Sequence, residues 1–184
     1  MAAPRRLWLV RHALPMVAAG ICYGRLDLAA DPQDTARAAA ALADALPPAC
    51  RVSTSPLRRC LELAGALERL RPDLIATPDP RLAEMDFGTW EGRAWADLGA
   101  ETLDAWTADF AGHAPGGGET VTAFMVRVRS ALADTAAGDT AWLTHAGVIR
   151  AASLAVRGLP DAITASDWPS APLGFGSLTR LDLA

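Results

Sequence analysis

Two short apolar runs in this chain each end abruptly in a histidine, and this pattern restricts the fold more than any other feature. Leu7-Trp8-Leu9-Val10 runs into Arg11-His12, and Thr140-Ala141-Trp142-Leu143-Thr144 runs into His145. Runs of this length that are apolar throughout, rather than alternating, read as strands covered on both faces, as in a parallel sheet between helix layers. Ligands of such sheets bind beyond the C-terminal strand ends. If the two strands are neighbours, His12 and His145 therefore share one edge.

The rest of the chain keeps a strand-helix rhythm. A first strand is expected over residues 6–11. The Ala-rich stretch from Pro32 to Leu46 reads as a helix stopped by Pro47-Pro48, and residues 50–54 as a second strand. Ser55-Pro56 is expected to open a helix, Ser55 as N-cap and Pro56 at the first helical position, with Leu57, Cys60, Leu61 and Ala64 facing the core. Leu74 to Thr77 reads as a third, edge strand between prolines.

After Arg81 the rhythm changes. Residues 94–110 read as a helix interrupted near Gly99, and residues 111–118 as a glycine-rich loop, so 88–118 is expected to be a helical lid insertion. Val121, Phe124, Met125, Val128 and Leu132 mark a long helix. Another buried strand (140–144), a helix from His145 to Gly158, a loop over 164–176 and a final strand over 177–183 complete the pattern. The expected fold class is α/β, a three-layer sandwich with a mostly parallel central sheet flanked by helices, plus the small lid, all in one domain spanning 1–184.

Composition excludes several functions. All 17 basic residues are Arg, so Schiff-base chemistry and a Lys-dependent phosphate loop are ruled out. A net charge of -4 argues against a nucleic-acid partner. Cys22, Cys50 and Cys60 are odd in number and widely spaced, which fits reduced thiols and a cytoplasmic location. The apolar patch from Leu7 to Val10 is too short for a signal-peptide core, and no membrane partner is expected. The residue types carry no signal for oligomeric state.

The histidines have neighbours suited to an anion. Arg11 precedes His12, and Ala146-Gly147 open a helix whose free N–H groups and dipole favour negative charge. Arg58 and Arg59 lie where the next helix begins, and spacing alone does not choose between them. A guanidinium binds oxyanions bidentately, and one unit charge at ~4 Å is worth roughly 4 kcal/mol at a near-surface dielectric. Two imidazoles, arginines and a helix terminus describe a phosphate pocket without metal or cofactor. Glu84, Asp86 and Glu91 are candidate carboxylates. A metal site built on His12, His145 and carboxylates is the alternative, but no two ligands stand at i, i+4. Trp90, Trp95 and Trp106 read first as core, and second as a surface on which a flat substrate stacks. Tyr23, Gly24 and Arg25 are candidate substrate contacts in the loop beside the site, and His113 reads as a loop residue.

Together these motifs are recognisable. The chain resembles the histidine phosphatase superfamily, which includes phosphoglycerate mutases and many small phosphatases. The resemblance rests on Leu9-Val10-Arg11-His12-Ala13, Ser55-Pro56-Leu57-Arg58-Arg59, Leu82-Ala83-Glu84 with Phe87 to Gly92, and His145-Ala146-Gly147-Val148-Ile149-Arg150. The motifs stand in the family order and cover nearly the whole chain. Cys22 to Leu28, Phe87 to Gly92 and Gly117 to Thr120 look like the α-ribazole-5′-phosphate phosphatase group of cobalamin synthesis.

The resemblance implies that His12 is the nucleophile that becomes a phosphohistidine and that Glu84 is the general acid and then base. It implies that Arg11, Arg59, His145 and the Ala146 amide hold the phosphoryl oxygens of a small phosphomonoester; Arg59 is chosen over Arg58 by the family register. Ala13, Leu14-Pro15, Ala18 and Ala146 depart from the usual residues beside the phosphate. A mutase sharing these residues and a catalytically inactive phospholigand-binding module are the competing readings.

Overall fold

In the computed structural model, which describes residues 5–183, five strands form one sheet in the order β3-β2-β4-β1-β5. β1 (Arg5–Arg11), β2 (Arg51–Thr54), β3 (Ala76–Pro78) and β4 (Gly138–Thr144) run parallel. β5 (Leu178–Leu183) closes the β1 edge antiparallel. Four helices cover the sheet on its two faces. Leu7 and Leu9 of β1 enter a core with α4 (Val121–Ala133) and α5 (Ala146–Val156). Val10 enters the opposite core with α1 (Pro32–Ala45) and α2 (Arg58–Leu70). β4 repeats the division, Trp142 to one side, Ala141 and Leu143 to the other. Both faces are dry, which is why these runs are apolar without alternation. Each fully buried Leu of this kind contributes about 1.5–3 kcal/mol.

Local chemistry sets most boundaries. Asp31 caps α1 by accepting the Asp34 N–H, Pro32 opens the helix, and Leu46 ends it ahead of two prolines. Helix α2 departs from expectation. It begins at Arg58 with Leu57 as N-cap, three residues after Ser55, whose hydroxyl lies 2.7 Å from His145 Nε2 and accepts the Leu57 amide at 3.3 Å. The third strand is displaced to Ala76–Pro78, and Leu74 is instead a buried turn residue. Proline is tolerated at that strand end because β3 is an edge.

The expected helix over 94–110 is split in two. A 3₁₀ turn at Trp95–Asp97 is followed by α3 (Ala100–Ala108), with Gly99 between them. Among the described residues no helix is long and apolar enough to cross a membrane. Cys22, Cys50 and Cys60 are free thiols, all buried.

Candidate active site

Strand register assembles the site. Arg11 pairs with Thr144 across β1 and β4, so the next residues, His12 and His145, leave the sheet side by side. The His12 amide donates to the Thr144 carbonyl at 2.9 Å, and the Ser55 amide donates to Leu143 at 2.9 Å, drawing the end of β2 into the same row. The two imidazole centroids lie 5.1 Å apart with their planes at 58°. Both rings are buried.

Hydrogen bonding fixes the His12 tautomer. Its Nδ1 lies 2.7 Å from the Ala13 carbonyl oxygen, which can only accept, so Nδ1 carries the proton and Nε2 keeps a lone pair. Burial, reinforced by the Arg59 and Arg11 guanidiniums, pulls the His12 pKa down from 6.5 to about 3, against the opposing pull of the Ala13 carbonyl. The ring is neutral at ordinary pH. Burial, then the charges of Arg59, Arg127 and Arg11, likewise hold His145 well below 6.5. Its Nε2 stands 2.7 Å from Ser55 Oγ, while Nδ1 is buried without a partner.

The arginines separate clearly. Arg58 is exposed and pairs with Glu62 at 2.7 Å on the helix surface. Arg59 is fully buried, donating through Nη1 to Leu26 O at 2.8 Å and through Nη2 to Gly24 O at 2.7 Å. Its bonds go to carbonyls rather than to a carboxylate, and Nε is unpartnered. A buried guanidinium held in this way has charge to spare for an anion. Arg11 donates to Leu173 O and stacks 3.8 Å from the Phe175 ring centroid, so its fork is turned partly toward the 173–175 loop.

Tyr23 and Gly24, expected to touch substrate, are occupied in supporting Arg59. The Tyr23 ring lies 5.4 Å from the guanidinium, and the Gly24 carbonyl accepts from it. A Cβ on Gly24 would fall 1.8 Å from Met85 O, so this close backbone approach requires glycine. The Arg25 side chain is exposed and its amide is bonded to Glu91.

Glu84 sits against the start of α5. Its Oε2 accepts from the Gly147 amide at 3.0 Å and Oε1 from Met85 at 3.1 Å. The helix terminus favours a carboxylate there. Arg127 holds the segment from behind, donating to the carbonyls of Arg81, Ala83 and Glu84, and is itself clamped by Glu119 at 2.7 Å. Next to Glu84 opens a cavity of about 150 Å³, walled by Phe87, Trp106, Phe110, Phe124 and Trp168, with Ala146, Gly147 and Arg150 on the α5 side.

Trp90 is not on that wall. It is 4% exposed and packs with Cys22 and Leu98, its ring edge-on to Trp95 and Trp106, inside the aromatic cluster. Trp106 is the tryptophan of this cluster that reaches the cavity.

Three residues gain roles that local sequence spacing does not show. Ser55 bonds His145 instead of capping α2. Glu91 accepts the amides of Arg25, Leu26 and Phe87, tying the 23–26 loop to the aromatic segment from 65 and 66 positions away. Phe175 packs 5.7 Å from the His12 ring. Among the described residues no three His, Cys, Asp or Glu side chains stand close enough to hold a metal ion.

Residues 7–183 match the family model described as histidine phosphatase superfamily, branch 1. The chain belongs to that superfamily. It is 32% identical over 146 residues to the glucosyl-3-phosphoglycerate phosphatase of Mycobacterium tuberculosis, covering 71% of this chain and 63% of the relative's length. The structure of a mycobacterial glucosyl-3-phosphoglycerate phosphatase with VO3 superposes with a TM-score of 0.79 at 28% identity, covering 96% of this chain and 90% of that one. A structure from Thermus thermophilus gives 0.72 at 29%, covering 96% and 92%.

Proposed function

We propose that this chain is a metal-independent phosphomonoesterase that works through a phosphohistidine on His12. The observation that carries the reading is the state of His12: neutral, with Nδ1–H committed to Ala13 and the Nε2 lone pair left free beside the buried Arg59. Phosphoryl transfer asks little of a protein beyond a placed nucleophile and matched positive charge on the equatorial oxygens. Nε2 attacks phosphorus while the bond to the leaving oxygen breaks. Arg59, Arg11 and His145 take up the charge on the remaining oxygens, and the Ala146 amide at the start of α5 adds a donor.

Glu84 gives its proton to the leaving alkoxide. The alcohol departs, water enters, Glu84 takes its proton, and the hydroxide breaks the P–N bond to release phosphate. His12 returns neutral, its Nδ1–H···O=C contact with Ala13 having sheltered the charge on the phosphorylated ring. Segment 88–118 acts as the lid over the leaving group. That a mycobacterial relative is known with VO3 bound supports a site for phosphate-like oxyanions. Three buried thiols suit the cytoplasm.

For the leaving group, the favoured reading is α-ribazole, released from α-ribazole 5′-phosphate. The residues of the 22–28 and 87–92 segments resemble that group, and the aromatic walls of the cavity beside Glu84 suit the face of a flat apolar ring. The names of the mycobacterial relatives favour a second reading, glucosyl-3-phosphoglycerate, for which Arg150 at the cavity edge offers a cation to the glycerate carboxylate. Assaying both esters and p-nitrophenyl phosphate in EDTA separates them. A kcat/KM at least tenfold higher for α-ribazole 5′-phosphate is expected. The reverse order selects the glycerate ester, and loss of all activity in chelator overturns the metal-independent mechanism.

A further inference from the structure

We infer that Ser55 is a positioning residue that sets the tautomer of His145, so that Nδ1–H faces the transferred phosphoryl group as a hydrogen-bond donor. The inference rests on the phosphatase reading above and concerns a residue that takes no part in the chemistry itself.

The argument starts from what surrounds the ring. Ser55 and His145 follow the adjacent strands β2 and β4, and the Ser55 amide bond to Leu143 holds the hydroxyl level with the imidazole. Ser55 Oγ is 2.7 Å from Nε2 and also accepts the Leu57 amide at 3.3 Å. Cys60 Sγ stands 3.6 Å from the same Nε2 and 3.6 Å from the Thr144 carbonyl. Nδ1, in contrast, is buried without a partner.

A neutral imidazole has one N–H, so one nitrogen donates and the other accepts. If Nε2 carried the proton, Ser55 Oγ would receive two donors, the ring and the Leu57 amide, and its own hydrogen would be left with the Cys60 sulfur, a weak acceptor. Nδ1 would then present a buried lone pair to an incoming phosphoryl oxygen, which is repulsive. With the proton on Nδ1, Ser55 accepts from Leu57 and donates to Nε2, and every group around Nε2 is matched. The thiol of Cys60, pushed by burial up to about 12, keeps its hydrogen and can donate to Thr144 O. Nδ1–H is then the one donor left over, on the ring where the proposed function puts a phosphoryl oxygen. A partner that fixes a histidine tautomer from behind is typically worth 10–100-fold in the function of that histidine, as for the outer partners of metal-bound imidazoles.

The two buried histidines thereby carry the same tautomer for opposite purposes. His12 parks its proton on the Ala13 carbonyl to free a lone pair at Nε2, and His145 parks its lone pair on Ser55 to free a proton at Nδ1.

The test reads tautomer and turnover separately. In ¹⁵N spectra of the substrate-free protein near pH 7.5, His145 should show a protonated Nδ1 and a bare Nε2, its signals told apart from those of His12 with a His12→Ala sample. Ser55→Ala should give a mixed or reversed His145 tautomer and lower kcat by ~10–100-fold, with less change in KM. Ser55→Thr, which keeps the hydroxyl, should restore both. A protonated Nε2 in the wild type overturns the inference. So does a Ser55→Ala protein whose tautomer is unchanged, whatever its rate, or whose tautomer shifts while kcat stays within twofold. The spectrum needs no substrate, so a wild-type protein without phosphatase activity would count against the function alone.

Discussion

The histidine end of the sheet and the aromatic segment over 88–118 are built on different principles. At the histidine end each polar side chain is held by directional bonds: His12 by Ala13 O, Arg59 by Leu26 and Gly24 carbonyls, Glu84 by the Gly147 and Met85 amides, and His145 by the Ser55 hydroxyl. The aromatic segment instead holds itself together through rings. Phe87 meets Trp95 and Trp106 edge-on, Trp95 and Trp106 lie nearly parallel, and Trp106 reaches Phe110. Directional bonds fix positions to fractions of an ångström and fail abruptly when one partner is lost, whereas apolar packing tolerates substitution with graded loss. Chemistry that depends on a placed nucleophile belongs on the first kind of framework. Recognition of a variable leaving group suits the second.

Substitutions can break that contrast, beginning with the largest effect. His12→Ala should lower turnover of any phosphomonoester by more than ~10⁴-fold while leaving the melting temperature close to wild type; brief exposure to a labelled phosphomonoester should mark wild-type protein on His12 and leave the variant unlabelled. Arg59→Met should cost about 10²–10³ in kcat. Arg59→Lys should not recover it, because one ammonium cannot span two carbonyls and an oxyanion; a lysine variant at near wild-type rate would show that the fork geometry is irrelevant.

Gly147→Ala tests the backbone hold on Glu84. The added Cβ would lie 2.2 Å from Oε1, so the carboxylate must move. A fall of up to ~100-fold in kcat is expected, of the order a misplacement of about 1 Å can cost, and p-nitrophenyl phosphate, whose leaving group needs no proton, should lose less than an alkyl ester. Trp90→Ala acts on the other framework. Proteolysis or hydrogen exchange should show segment 88–118 loosened, consistent with about 3–5 kcal/mol for removing a buried tryptophan, while p-nitrophenyl phosphate turnover changes only a few-fold. A Trp90→Ala loss as large as that of Arg59→Met would erase the distinction between the two regions.

The smallest effect sharpens the comparison by being nearly absent. With the His12 pKa near 3, kcat/KM corrected for substrate ionisation should show no His12 titration around pH 6.5. Stability should show one. The unfolded imidazole takes up its proton as pH falls through 6.5 while the folded one does not, so His12 destabilises the fold progressively between pH 6.5 and 3. Denaturant midpoints of wild type and His12→Asn should therefore converge or cross on acidification.

Most of the sheet was legible because the periodicities are local. The unbroken apolar runs marked β1 and β4, and the 3.6-residue spacing of Val121, Phe124, Met125, Val128 and Leu132 marked α4. The start of α2 is misleading because Ser55-Pro56 has the form of a helix cap, while the hydroxyl's actual partner is His145, 90 positions away. The aromatic segment was less legible for a similar reason. Tryptophan spacing says that rings are present without saying which one, Trp90 or Trp106, ends inside the cluster and which on a cavity wall.

By itself the sequence determined the layered α/β class, the placing of Arg11-His12 and His145 at strand ends, and membership of the phosphatase superfamily through motifs in order. Those follow from side-chain type at short range. Tertiary structure alone decided which carbonyls hold Arg59, which tautomer His12 adopts and which face of the tryptophan cluster meets the site. Each of these is a hydrogen bond or a ring contact between elements brought together by strand register, and no local pattern encodes a partner that the fold delivers from tens of residues away.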